Sequence, residues 1–288
     1  MEFIENAMNS STGEYYGNGY FETEENAVAK KEAEDRRKKY LMKKKHIENN
    51  YRKYGQFSFM FYTVGKNLLE DISDDILTKI IFLSTYMNYQ NVIVDNENAP
   101  MDKRGIRQII NVSDRKFSDF FKEIIDKGIL VSKDDGSYFL NFNIFARGKN
   151  VFKENTNVTR LYRSAIRKLY TKAKPSEHKL LSYVFQAIPF VNIQYNMLCF
   201  NPYESNLDKI DSMTLREYCE IIGYSVENDH KLKTKLKSLR LNNIPVFNFV
   251  DNADGIFCYI NPCVFYAGNK WEQVKVLGEF KSKKSEGR

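Results

Sequence analysis

The chain has 288 residues, 42% hydrophobic and 28% charged, with a net charge of +7. That composition excludes a disordered chain and suits two domains of ordinary size. A pI near 9.0 favours an acidic partner, either nucleic acid or an anionic surface.

No apolar run approaches the roughly 18 residues of a membrane span. The first thirty residues lack the basic and hydrophobic stretches of a signal peptide. The expectation is a cytoplasmic, nucleoid-associated protein with no membrane partner.

In chain order, residues 1–29 carry six acids (Glu2, Glu5, Glu14, Glu22, Glu24, Glu25) and no Lys or Arg, which reads as a weakly ordered acidic tail. Residues 30–57 follow as a basic helix by propensity, with eleven Lys or Arg against four acids over 30–53 and little apolar stripe. The stretch "DDILTKIIFLST" predicts a helix with Leu77, Ile80, Ile81 and Ser84 on one face and Ser73 at its N-cap. "NVIV" (91–94) is a short strand. A short helix over 101–110 and a longer one from Ser113 follow. The latter buries Phe117, Phe120, Phe121, Ile124 and Ile125. "ILVSKDDGSYFLN" closes the unit as a hairpin around Asp-Gly, where glycine accepts a positive φ.

The same order then returns. Residues 151–175 form a basic linking helix with Leu161, Ala165, Leu169 and Tyr170 at helical spacing. Pro175 opens a helix carrying Leu180, Leu181 and Val184, and "NMLCF" (196–200) is a strand. A short helix over 213–222 leads to a longer one over 225–243 with Leu232, Leu236 and Leu239 inward. "VFNFVDNADGIFCYIN" is the second hairpin. The two short helices share five of thirteen residues without a gap: Met101/Met213, Arg104/Arg216, Ile109/Ile221, Ile110/Ile222 and Ser113/Ser225. Asn111 and Gly223 stand where a helix ends in a left-handed residue, and Ser113 and Ser225 are placed to cap the next helix. "NFNIFARG" and "NPCVFYAG" close the two copies alike.

Two helices joined by a tight turn, followed by a two-stranded hairpin, describe a winged helix-turn-helix. The expected fold is therefore α+β, mainly α: two tandem winged helix-turn-helix domains at 58–150 and 176–272, preceded by the basic helix and followed by a frayed tail at 273–288. In such a domain the second helix enters the major groove of double-stranded DNA. On the first such helix Arg115, Lys116, Ser118 and Lys122 face outward, with Arg115 and Lys116 placed to read base edges. Its charge is mixed, and a solvated or partner-facing surface is the alternative. The second helix carries Lys231, Lys233, Lys235, Lys237 and Arg240 against Glu227 and Asp229, a net of +3. Lys231, Thr234 and Lys235 face outward. Lysine suits phosphate contact more than base reading. Arg147 and Lys149 after the first hairpin, and Arg163 and Arg167 in the linking helix, are further candidates for the backbone. Both hairpin tips are acidic and are not expected to enter the minor groove.

No phosphate-binding glycine loop, HxH pair or catalytic triad is recognisable. The three histidines are scattered, and Cys199, Cys219, Cys258 and Cys263 form no CxxC pair, so they read as ordinary buried or half-buried thiols. No enzyme activity, metal or cofactor is expected.

The repeated plan of helix, MxxRxxxxII-xxS, helix, hairpin and NxxxF resembles the tandem winged-helix replication initiators of bacterial plasmids and phages, over about 58–270. The resemblance implies binding to repeated origin sites, opening of nearby DNA, recruitment of host replication machinery, and a homodimer formed through the first winged domain. A transcriptional regulator of a phage or mobile element, contacting the transcription machinery, is the alternative reading of the same plan. A protein-binding adaptor is the third.

Overall fold

The computed structural model describes the backbone of residues 2–9, 11–21, 24–61, 72–148 and 158–268. The described residues form a mixed α/β structure with eight α-helices and several small antiparallel sheets. The chain divides into two compact units, Met1–Lys53 and Tyr54–Arg288.

In the first unit, β1 (Glu2–Met8) and β2 (Tyr15–Phe21) pair as an antiparallel hairpin, and α1 spans Glu24–Tyr54. This corrects the expectation of a weakly ordered tail over 1–29. Tyr, Phe and Ile fit a pleated ribbon whatever the charge between them. The Asn9 side chain accepts from the Ser11 and Thr12 amides at 2.9 and 3.1 Å and shapes the turn. The basic helix begins at Glu24 rather than 30. It is exposed from residue 27 to 42, as a helix polar on every face must be, and Glu32 pairs with Arg36 one turn on.

The second unit contains the repeat. Its first half runs β3 (Phe57–Phe61), α2 (Asp74–Ser84), α3 (Lys103–Ile110), α4 (Asp114–Asp126), β4 (Leu130–Ser132), β5 (Tyr138–Leu140) and β6 (Phe145–Ala146). Its second half begins with β7 (Val158–Tyr162), α5 (Arg163–Lys172), a 3-10 turn at Pro175–Glu177, α6 (His178–Gln186) and α7 (Leu215–Ile221). A 3-10 turn at Val226–Asn228, α8 (Asp229–Ser238), β8 (Arg240–Leu241), β9 (Ile244–Pro245), β10 (Phe247–Asn252), β11 (Gly255–Ile260) and β12 (Phe265–Tyr266) complete it. The expected linking helix over 151–175 is corrected: α5 covers only Arg163–Lys172, and 158–162 is a strand. The tail at 273–288 lies outside the described residues.

The two halves share a set of corresponding hydrogen bonds. Asn91 and Asn196 are fully buried and left-handed, at φ 58° and 54°. Each donates its side-chain amide to one carbonyl of the hairpin beside it and to one of the strand that follows the hairpin. Asn91 reaches Leu140 and Phe145 at 3.1 and 2.7 Å, and Asn196 reaches Ile260 and Phe265 at 2.9 and 3.1 Å. Their own carbonyls accept from Leu140 and Ile260. Asn141 and Asn261 tie the ends of the hairpins to Gly128 and Pro245. Asn111 and Gly223 are left-handed as expected, at φ 51° and 63°. Asp102 and Thr214 cap α3 and α7 through their side chains.

The halves are joined rather than separate, and residues 54–288 form one compact unit. β3 pairs antiparallel with β7 at the middle of a four-stranded sheet of order β12-β7-β3-β6, so each half contributes two strands. The helices α2 and α6 pack on each other, and Thr78 Oγ1 donates to the His178 carbonyl across the junction at 3.0 Å. One apolar cluster runs through both halves, from Met60 to Tyr266. This placement explains why α2 is buried from Ile76 to Ser84 rather than along one stripe: it sits between its own half and its counterpart. Lys79 is carried in with it at 1% exposure, paired to Asp75 and placed over the Phe120 ring. Burial holds its ammonium below the usual lysine range, against the pull of Asp75.

His178 opens α6 at the same junction, 3% exposed, with its ring 4.3 Å from that of Tyr170. Burial pushes its imidazole below the usual range; Asp75 opposes this, and Lys79 and Lys116 add to it. The folded chain thus binds fewer protons here than the unfolded chain between the lowered value and about 6.5. Stability is expected to fall as pH drops through that window. A His178→Gln variant should show a shallower decline in Tm between pH 7 and pH 5; equal slopes would assign the decline to other groups.

Candidate nucleic-acid interface

In each half the second helix of the turn is held by aromatic or leucine side chains on its inner face. Phe117, Phe120, Phe121 and Ile124 bury α4, with Ile125 half-buried. Leu232 and Leu236 bury α8, with Leu239 half-buried at its end. The opposite faces are exposed. Arg115, Lys116, Ser118 and Lys122 stand outward on α4, and Lys231, Thr234, Lys235 and Lys237 on α8. The structure therefore places each of these groups together on one accessible helix face.

The two faces differ in charge. On α4, Asp114 pairs with Arg107 of the preceding helix, and Asp119 stands exposed among the basic residues. On α8, Asp229 is the first residue, where a carboxylate favours the positive end of the helix dipole, and Lys235 and Lys237 occupy the last turn. Among the described residues no ion pair reaches Lys231, Lys235 or Lys237.

Two members of the expected α8 group are placed differently. Lys233 is half-buried and donates to both carboxylate oxygens of Asp251 on β10, at 2.7 and 2.8 Å. It fastens the helix to the hairpin and neutralises one acid of the acidic tip. Arg240 is not on the helix: α8 ends at Ser238, and Arg240 begins β8 with Nη1 donating to the Asn243 carbonyl at 3.1 Å. The extended backbone of Leu239 and the left-handed Asn242 and Asn243 turn the chain there.

The expected arginines outside these helices form a cluster of their own. Arg163 is the first residue of α5 and Arg167 lies one turn on; Arg147 follows β6. Each is half-buried. Arg163 Nε and Arg167 Nη2 both donate to the Thr85 carbonyl, which ends α2, and Arg167 Nε donates to Thr85 Oγ1 at 3.0 Å. Arg147 Nη1 donates to the Met87 carbonyl at 2.6 Å. Two guanidiniums, Arg147 Nη2 and Arg163 Nη1, share the Gln56 Oε1 at 2.7 and 2.8 Å. This corrects the expectation of an open basic helix along the backbone. The Thr85 carbonyl stands at the negative C-terminal end of α2, and arginine is suited to it. Lys149 lies outside the described residues.

The sequence reading passed over Arg104 and Arg216. They are identical in register, and both are exposed, on α3 and α7. The buried partners in the same repeat, Met101 with Met213 and Ile110 with Ile222, have packing to account for them; the arginines do not. Their signal was present in the duplication itself, in the identical position that the apolar pattern does not require. The first helix of such a pair is the one that crosses the duplex backbone.

Cys199, Cys219 and Cys258 are buried and Cys263 is half-buried. Burial pushes the Cys199 and Cys219 thiols up to about 11 and Cys258 further still, which leaves them poor nucleophiles at neutral pH. Among the described residues no group of three or more His, Cys, Asp or Glu is placed to hold a metal, and no helix is long and apolar enough to cross a membrane. A cavity of about 330 Å³ lies beside the turn between α3 and α4, lined by Tyr86, Gln108, Asn111, Tyr170 and His178 among others. Compared with family models, with curated proteins and with solved structures, the chain matches none.

Proposed function

We propose that the chain binds double-stranded DNA through two winged helix-turn-helix halves, as a replication initiator of the plasmid or phage type. The observation that carries this reading is α8. Its exposed face holds Lys231, Lys235 and Lys237 with no carboxylate among the described residues paired to them, and it is presented by a short helix and a tight turn that occur twice in the chain. A helix about 10–12 Å across, with its leucines buried and its basic side exposed, fits the width and charge of the major groove. In this reading α8 contributes mainly phosphate contacts. The less basic α4 reads bases through Arg115 and Lys116 or faces a second copy. Arg104 and Arg216 join the phosphate contacts. No catalytic step, metal or cofactor is assigned.

The test is titration of a random duplex and of duplexes selected by the protein, between 50 and 200 mM salt. Affinity is expected to fall steeply with salt for both, because each phosphate contact displaces condensed counterions. An affinity that does not change with salt would reject duplex binding in favour of a protein-binding adaptor. Sequencing the DNA bound in cells separates an origin role, seen as clustered repeats, from a promoter role.

A further inference from the structure

At one end of the four-stranded sheet, three guanidiniums converge with no counter-ion among the described residues. Gln56 precedes β3, Arg147 follows β6, and Arg163 follows β7, so the register Phe57↔Tyr162 and Phe59↔Ala146 brings them to the same edge. Arg167 stands one turn further along α5. Their hydrogen-bond partners among the described residues are all neutral: the Thr85 and Met87 carbonyls, Thr85 Oγ1, Gln56 Oε1, and Asn96 Oδ1 at 3.1 Å from Arg167 Nη1. Tyr89 and Tyr86 supply ring faces 4.6 and 3.6 Å from the Arg147 and Arg167 guanidinium carbons. Among the described residues no carboxylate pairs with any of the three.

Capping of α2 explains the bonds to Thr85. It does not explain why a third guanidinium is drawn in, nor why the atom bridging Arg147 and Arg163 is an amide oxygen where a carboxylate would stabilise the pair far better. Burial above all, with Arg147 and Arg167 nearby adding to it, holds the Arg163 guanidinium down to about 10. Gln56 and Asn96, the polar partners at the rim, are both exposed, so the cluster opens to solvent on that side. Each guanidinium keeps N–H groups beyond those already engaged, since arginine carries five.

We propose that Arg147, Arg163 and Arg167 form a binding site for a single phosphoryl group, entered past Gln56 and Asn96. A tetrahedral dianion or phosphodiester fits because its several oxygens can be shared among forked donors, which a point cation would not require. The two stacked tyrosines hold the outer guanidiniums flat in the absence of the anion. The phosphate belongs either to a duplex backbone, in which case the site rests on the DNA reading above, or to a free phosphate or nucleotide.

The test uses the full chain and inorganic phosphate at 1–20 mM, a range chosen to lie well below salting-out concentrations (~0.1 M and above), at fixed ionic strength in chloride. Phosphate is expected to raise the Tm of the wild type by about 2–5 °C. Gln56→Glu, which sets a carboxylate between Arg147 and Arg163, is expected to be at least as stable in chloride and to lose that increment. Asn96→Asp should reduce it, and serves as the second variant at an exposed position. No increment in the wild type, or an equal one in Gln56→Glu, overturns the proposal. The source is read from duplex binding by Gln56→Glu: a loss of about tenfold with a slope reduced by about one unit assigns the site to backbone phosphate, and unchanged duplex affinity assigns it to a free phosphate. A variant lacking the α8 lysines must keep the phosphate increment, so failure of duplex binding and failure of this site give different results.

Discussion

Replacing Lys231, Lys235 and Lys237 together by Gln is expected to weaken binding to any duplex by on the order of a hundredfold at 0.1 M salt, and to flatten the slope of log affinity against log salt by about three units. The magnitude follows from three phosphate contacts, each releasing close to one counterion. All three side chains are exposed, so the stability of the fold should change by less than about 0.5 kcal/mol. Lys233 is left out because its ammonium is bound to Asp251, and its loss would disturb the seat of the helix on the hairpin. Filter binding or fluorescence anisotropy across a salt series gives both numbers. A slope identical to that of the wild type would show that α8 does not touch phosphate, whatever the absolute affinity.

The second large effect concerns folding. Asn196→Ala removes the side-chain amide that donates to the Ile260 and Phe265 carbonyls and places alanine at φ 54°. Two buried acceptors without a partner, together with the left-handed backbone, amount to a loss of about 3–5 kcal/mol. Asn196→Gly tolerates the backbone and should lose about 1 kcal/mol less. The same pair of substitutions at Asn91 is expected to behave alike, because its bonds to Leu140 and Phe145 are the counterparts. Urea denaturation of the four variants measures this. A cost under about 1 kcal/mol for either alanine would mean that the amide bonds do not hold the hairpins in place.

Much of this unit is legible in the residues. The paired helices and the hairpin of each half, the left-handed Asn111 and Gly223, and the inner faces of α4 and α8 follow from apolar spacing and from the few residue types that tolerate a positive φ. Those are local properties, and local sterics decide them. The segments expected as strands at 91–94 and 196–200, by contrast, make only isolated bridges. The acidic first segment misled because charge was weighed over pattern. Its Tyr, Phe and Ile residues form a hairpin, since strand pairing depends on side-chain shape and backbone bonding more than on net charge. The linking helix misled for another reason. Leu161, Ala165 and Leu169 fit a helical stripe, yet Leu161 lies in β7 opposite Ser58 and Phe265. A strand that belongs to a sheet assembled from residues about a hundred positions apart leaves no trace in its own window.

The candidate contacts divide along the same line. Lys231, Thr234, Lys235 and Lys237 were identifiable from a helix and its periodicity, because exposure on an amphipathic helix is fixed by which face is apolar. Arg147, Arg163 and Arg167 were chosen for their charge alone. Their common place at the end of α2 comes from β3 meeting β7, a pairing between the two halves. By itself, then, the sequence determined the twofold repetition, the turn between paired helices and the basic face of α8, all set by neighbours within a few residues. Only the tertiary structure decided that the two halves share one sheet and one core, that Lys79 and His178 are buried at their junction, and that three arginines meet there. Those facts depend on long-range pairing and on desolvation, which arise only once distant segments are brought into contact.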